Sequence, residues 1–301
     1  MIKPQQRWLI GIGILLLLLG VVAAVVYQRQ TSHADEPLAL APLPQDPQIQ
    51  VYFNQVQSST YTEPYRQQTR PGNNLEQILI DAIQQADRSI AVAVQELRLP
   101  LLAEALVERA QAGVDVRIIL ENSYRRGWSQ YTTAEVQALP ERERSRYDEF
   151  LLLADRNQDG NVTAAEKQAN DAIAILEAAP IKLLDDTADD SAGSGLMHHK
   201  FVVIDGQTVL TGSVNFTTSG IHGDFKQPNS RGNANFLLQI ESSELAQIFL
   251  TEFDFMWGDG PGGQPNSLFG VQKPDRPIAK LQIGASTVQV HFSPTGRRVP
   301  W

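Results

Sequence analysis

The stretch from Met197 to Phe216 gathers residue types that can work on a phosphate ester. It reads MHHKFVVIDGQTVLTGSVNF, a pattern H-x-K-x4-D-x6-G-S-x-N with His198, Lys200, Asp205, Gly212, Ser213 and Asn215 at the fixed positions and His199 at the variable one. At roughly 5% usage per residue type, six fixed positions coincide on the order of once in 10⁸ starts, so the spacing is a signal rather than an accident. FVVI reads as a strand, and alternate residues of an extended segment share a face, which points His198 and Lys200 to the same side. A neutral imidazole there can attack phosphorus and split phosphodiester hydrolysis into two displacements through a phosphohistidine. No metal is needed for that step. Lys200 offers a point charge for non-bridging oxygens, and Ser213 and Asn215 offer donors on the turn after the next strand, where charge develops in the transition state. Gly212 lets backbone approach closely.

Positioning such a set calls for a sheet. IQVYF at 49–53 alternates as a short strand, and after PGNN the residues Leu75, Ile78, Leu79, Ala82 and Ile83 fall on one helical face. SIAVAV at 89–94 reads as a buried strand, Leu101 to Ala110 as a helix stopped by Gly113, and VDVRIIL at 114–120 as a strand. A strand, helix, strand order with short links implies a parallel pair in an α/β layer fold. The rhythm lapses between Glu121 and Pro180, which reads as a helical insertion, and resumes at IKLL, FVVI, TVLT and ANFLLQI, followed by a helix from Ser243 to Met256. A Gly/Pro-rich loop, GDGPGGQPNSLFG, closes the domain. VQVHFS at 288–293 echoes IQVYFN at 49–54 and suggests the opening strand of a second, truncated repeat; chance likeness of two short amphipathic strands is the alternative.

Inside the insertion, DRNQDGNVTAAE at 155–166 fits the calcium loop of an EF-hand position by position: Asp155, Asn157, Asp159, Gly160, Asn161 through its carbonyl, Thr163 and Glu166. Hard oxygens at alternating positions and a glycine to turn the chain are what Ca²⁺ takes, and helical sequence flanks the loop. The expected role is structural, stabilising the insertion outside the catalytic centre.

The six-residue pattern is that of the phospholipase D superfamily, which this chain resembles over roughly 49–260. The resemblance implies a mixed sheet flanked by helices, here with an inserted EF-hand-like helix-loop-helix at 123–180. It also implies two facing motifs, one histidine acting as nucleophile and the other protonating the leaving alcohol and then activating water. His33, His222 and His291 lack a lysine two residues on, so the chain holds one motif. A homodimer partner or a missing C-terminal repeat would supply the second. Asp205 looks like part of the motif's scaffold. Some single-motif relatives place a carboxylate just ahead of the late strand, where this chain has Asn233 and Asn235. Arg231 is a further candidate phosphate contact, a solvated surface arginine being the alternative.

The remaining features bound the setting. Leu9 to Tyr27 is an apolar run behind Lys3 and Arg7, long enough to span a bilayer, and Ser32 with Ala34 offers a cleavable signal as the alternative. Either reading of segment 1–30 places the catalytic domain outside the cytoplasm, behind a Pro-rich linker at 31–48. A connector at 261–287 precedes the repeat-like 288–301. No cysteine is present, which excludes disulfides, thiolate metal sites and a cysteine nucleophile. A net charge of -9 weighs against whole-surface binding of nucleic acid. The expected function is hydrolysis of phospholipid head-group phosphodiesters at a membrane surface. Endonuclease action, cardiolipin synthase-like phosphatidyl transfer and an inactive calcium-binding half-domain are the alternatives.

Overall fold

The structure is a computed structural model that describes Gly20 and residues 41–42, 44–191 and 195–294. Apart from Gly20, the apolar run from Leu9 to Tyr27 lies outside the described residues. Among the described residues no helix is long and apolar enough to cross a membrane.

A seven-stranded mixed sheet organises the described residues from 44 onward. Within it β4 (Ser89–Val94) is flanked by β5 (Asp115–Leu120), which runs parallel to it, and by the central strand β7 (Lys200–Ile204), which runs antiparallel. β6 (Lys182–Asp185) extends the parallel side beyond β5. On the other side β8 (Thr208–Gly212), β9 (Phe236–Glu241) and β1 (Ile49–Phe53) follow β7, each antiparallel to its neighbour. The mixed sheet follows from the links. β4 reaches β5 through the helix Pro100–Gln111, as a parallel pair requires, whereas β7 and β8 are joined by the tight turn Asp205–Gln207.

The period-two pattern of β4 and β7 divides the core. Ile90, Val92, Val94, Val202 and Ile204 face helices α1 (Leu75–Gln84) and α2 (Pro100–Gln111). Ala91, Ala93, Phe201 and Val203 face a helix near the C-terminus, Ser243–Trp257, which carries Phe249, Phe253 and Met256 into that layer. The two alanines are small because these aromatic rings fill the space above them. A strand buried on both faces reads as a continuous apolar run, which is why SIAVAV lacks alternation. Helix boundaries follow local caps: Asn74 accepts from the Gln77 N–H, Pro100 opens α2, and Ser242 accepts from the Leu245 N–H.

The link from β5 to β6 contains the insertion. It holds α3 (Thr133–Ala138), α4 (Glu141–Ala154), α5 (Ala164–Ala169) and α6 (Ala172–Glu177). Ile173 and Leu176 of α6 join the core beside α2, whereas Trp128, Tyr147, Phe150 and Ala154 make a small core of their own. The short helix Thr218–Ile221 is α7, and Ser243–Trp257 is α8.

Two hairpins escape the sequence pattern. β2 (Thr60–Thr62) pairs with β3 (Thr69–Pro71), each too short to show alternation. β10 (Ala279–Ile283) arises inside the stretch read as a connector and pairs with β11 (Ser286–Val290), so VQV of the VQVHFS echo lies in a separate two-stranded sheet while IQVYF edges the main one.

Candidate active site

The motif occupies both ends of β7. Lys200 opens the strand, 9% exposed, and its Nζ donates to Gln95 Oε1 at 3.1 Å and to the His198 carbonyl at 3.2 Å. Asn215, on the loop after β8, donates its Nδ2 to the same Gln95 Oε1 at 3.2 Å, and its own Oδ1 is buried without a partner among the described residues. Burial pushes the Lys200 ammonium down to about 8, against the opposing pull of the Glu96 carboxylate. The cation thus stays charged at neutral pH in surroundings that strengthen its pull on an anion.

His198 precedes the strand with its side chain exposed, lining a cavity of about 280 Å³ with Asp186, Leu196, Met197, Phe269 and Lys273. Partial burial, then the positive charge of Lys200 and the neighbouring His199, lower its pKa. The ring is therefore largely neutral at pH 7 and its lone pair is available to phosphorus. His199 turns to the opposite face, where its Nε2 lies 2.7 Å from Glu252 Oε1 of α8.

Ser213 lies at the same end of the sheet. Its Oγ donates to Asn235 Oδ1 at 2.8 Å and accepts from the Phe236 N–H at 3.2 Å, tying the loop after β8 to the start of β9. Gly212 makes this possible, because a Cβ there would collide with the Phe236 carbonyl. Asn235 is used up in that joint: its Nδ2 donates to the Gly220 carbonyl and its backbone N–H to Asn54 Oδ1. Arg231 makes no side-chain contact with the motif among the described residues, while its carbonyl accepts from Gln55.

Asp205 sits at the far end of β7, roughly 16 Å from Lys200 at about 3.3 Å per residue. Its carboxylate accepts the N–H groups of Asp87, Arg88 and Ser89, each at 2.8 Å. Burial alone would raise its pKa; these amides and the Arg88 charge outweigh it and hold the carboxyl below its ordinary value. With φ of 53° it also makes the turn into β8. Its position fastens β7 to β4 and keeps it away from the other motif residues.

Gln95 and Glu252 are the two residues that sequence reasoning left out. The signal for Gln95 was present: a polar side chain directly after the apolar run IAVAV must satisfy its amide inside the protein. Beside it, Glu96 pairs with Arg98 and Arg146 and lines a second cavity of about 290 Å³, walled by Trp128, Phe150 and Leu153 of the insertion and by the loop after Thr217.

The loop 155–166 joins α4 to α5. Gln158 and Gly160 take positive φ of 58° and 79°. Asp155 accepts from the N–H groups of Asp159 and Gly160, Asn157 from that of Asp159, and Asp159 from that of Asn161. The donor set, all carboxylate, amide and carbonyl oxygen, suits a hard cation such as Ca²⁺. Glu166 is turned instead to its helix cap, accepting from the N–H and hydroxyl of Thr163, and Arg66 approaches Asp155 to 3.6 Å. Among the described residues no group of three or more His, Cys, Asp or Glu is gathered as metal ligands would be.

Residues 79–257, more than half of the chain, match the family model described as "Cardiolipin synthase, PLD-like domain". The mitochondrial cardiolipin hydrolase of Mus musculus is 40% identical over 63 residues, 21% of this chain and 24% of that protein. That of Xenopus tropicalis is 26% identical over 172 residues, 57% of this chain and 56% of its own length. The chain thus spans between a quarter and little more than half of these relatives. Among solved structures, the phospholipase D family member Nuc from Salmonella typhimurium aligns at 21% identity with a TM-score of 0.40, covering 72% of this chain and 97% of Nuc. NucT from Helicobacter pylori aligns at 18% identity with a TM-score of 0.38, covering 71% and 99%. With the H-x-K motif on β7 and the family match running from α1 to the end of α8, this chain belongs to the phospholipase D superfamily, in its cardiolipin synthase-type PLD-like domain family.

Proposed function

We propose that this chain is a membrane-associated phosphodiesterase that hydrolyses a phospholipid head-group diester, cardiolipin foremost, through a phosphohistidine at His198. One observation carries the reading: Lys200 Nζ and Asn215 Nδ2 converge on Gln95 Oε1 beside a largely neutral His198 that faces an open cavity. A lipid is favoured over nucleic acid by the net charge of -9 and by exposed apolar side chains near the motif. Leu196 stands two residues before His198, and Phe236, next to Ser213 across the sheet, pairs with Phe53. The likeness to mitochondrial cardiolipin hydrolases supports the same choice.

In this scheme the His198 ring nitrogen forms a bond to phosphorus as the bond to the leaving alcohol's oxygen breaks. Lys200 neutralises the non-bridging oxygens, and Asn215 helps hold the reacting group. A second histidine, from a homodimer partner or a C-terminal repeat, protonates the departing alkoxide and then takes a proton from water. That water breaks the N–P bond, freeing the phosphomonoester and His198. An alcohol in place of water would give phosphatidyl transfer. The apolar run at 9–27, as anchor or signal, would hold the domain at an extracytoplasmic membrane face. The loop at 155–166 would take a structural Ca²⁺ through Asp155, Asn157, Asp159, the Asn161 carbonyl and Glu166, outside the reaction itself.

The test is turnover of cardiolipin, phosphatidylcholine and single-stranded DNA by the purified chain and by His198→Ala. Cardiolipin hydrolysis lost in the variant is expected. Equal turnover by both proteins defeats the nucleophile assignment, cleavage of DNA alone transfers the chain to the endonuclease reading, and no turnover of any substrate leaves the inactive half-domain.

A further inference from the structure

We propose that Glu252 and His199 form a positioning pair that fixes the H-x-K segment from behind the sheet and ties it to the segment 267–293, which also lines the cavity at His198. The inference rests on reading His198 as the nucleophile.

His199 lies between the two motif residues and is held from several sides. Its carbonyl accepts from the Gln95 N–H at 3.0 Å, and its Nε2 lies 2.7 Å from Glu252 Oε1. Its ring meets Phe201 and Phe292 edge-on, with centroids 5.4 and 5.7 Å apart. A displacement of the His199 backbone would therefore carry His198 on one side and Lys200 on the other.

Glu252 is fully buried on the apolar face of α8, between Phe249 and Phe253. A carboxylate in such a place persists only when it is paired. Lys273 Nζ donates to its Oε1 at 2.6 Å and Arg276 Nη2 to its Oε2. Burial would raise its pKa, but the His199 hydrogen bond and the positive charges around it bring the carboxyl down to about 2. It is thus ionised and accepts only, so His199 must carry its proton on Nε2 in order to donate. Lys273 and Arg276 already supply more positive charge than one carboxylate needs. The bond to His199 therefore orients the ring and is not required to neutralise Glu252.

The segment that clasps Glu252 also shapes the space in front of the nucleophile. Phe269, Lys273 and Ser293 line the cavity that holds His198. Seating of this segment and alignment of the motif are joined at one buried carboxylate.

His199→Leu removes the donor at similar volume, whereas His199→Gln can return an N–H to Glu252. Because misplacement by about 1 Å costs on the order of 100-fold, we expect His199→Leu to lower kcat on cardiolipin by about that factor with little change in KM. His199→Gln should recover most of the loss, and Glu252→Gln should behave like His199→Leu. Long-range ¹H–¹⁵N spectra of the full chain supply a readout without turnover. The wild type should show His199 carrying a proton on Nε2, and Glu252→Gln should shift the His198 nitrogens as well. Equal kcat for the Leu and Gln variants, or His198 resonances unmoved by Glu252→Gln, would overturn the pairing even if the melting temperature falls. If His199→Leu does not fold, Glu252→Gln against wild type decides the matter by the same two readouts. A wild type without turnover would defeat the hydrolase reading, while the spectra would still decide the positioning.

Discussion

Lys200 and Asn215 meet at a single atom, Gln95 Oε1, 3.1 Å from the Lys200 Nζ and 3.2 Å from the Asn215 Nδ2. One carbonyl oxygen with two lone pairs thus sets the separation of the cation and the amide that the motif places on different strands' ends. Gln95 directly follows β4, so the geometry of the site depends on the register of β4 against β7, in which Val94 pairs with Lys200.

Gln95→Leu removes that acceptor and leaves the buried ammonium with the His198 carbonyl alone. We expect a loss of roughly 1–3 kcal/mol in stability, the cost of an unsatisfied buried polar group, and a fall in kcat of at least about tenfold. Gln95→Glu should separate the two effects. Its carboxylate pairs with Lys200, retaining or raising stability, yet cancels the charge meant for phosphate and lowers kcat. Urea unfolding and cardiolipin turnover on both variants measure the two quantities, and an equal loss of stability in the two variants, or unchanged turnover in either, would contradict this role.

Besides the second histidine, two groups of this chain that are displaced downward bound the pH dependence of turnover. His198 must be neutral to attack, and its pKa is below the ordinary 6.5, so the acid limb falls below that value. Lys200 must be charged, and its pKa of about 8 places the basic limb near 8, well below the 10.5 of a free lysine. The same displacement acts on stability with a definite sign. The folded state holds the Lys200 proton less tightly than the unfolded chain does, so charging Lys200 costs stability below about pH 8. That cost is relieved as pH rises from about 8 toward 10.5. Lys200→Met should therefore abolish turnover while leaving the protein as stable or more stable at pH 7, and should flatten the rise between pH 8 and 10. A basic limb at pH 10, or a destabilised Lys200→Met, would contradict the assignment.

The sequence made some of this architecture visible and hid the rest for identifiable reasons. SIAVAV shows itself through an unbroken apolar run, and the helix around Leu75 and Leu79 and the helix from Ser243 through their own period of apolar residues. Strand order does not, since FVVI gives no sign that β7 will lie between β4 and β8. AKLQI carries the alternation of a strand but is only five residues long and follows a Gly/Pro-rich loop, so it passes for connector. In the site, the motif's spacing is local to one strand, turn and strand, and so can be read directly. Its supports are not: Gln95 reaches Lys200 across 105 positions and Glu252 reaches His199 across 53. Neither link leaves a trace in the order of residues, only in the way the two faces of β7 are covered.

Calcium offers a test confined to the insertion. In the loop 155–166 the side chains of Asp155, Asn157 and Asp159 accept backbone amides, which leaves further lone pairs on their oxygens for a cation. Glu166 would have to leave the Thr163 cap, at a cost of about 1 kcal/mol, before reaching a bound ion. Binding to the folded state alone stabilises it by about 2.7 kcal/mol when the ion is at 100 times its Kd. Calcium should therefore raise the melting temperature, and Asp155→Ala should remove that increase. Turnover assayed well below the melting temperature should change little, because the loop joins α4 to α5 and the H-x-K motif lies on β7. Isothermal titration and thermal unfolding in calcium and in chelator measure this directly. A melting temperature indifferent to calcium would remove the ion from the account of this fold, and turnover that needs calcium while the fold does not would move it into the reaction.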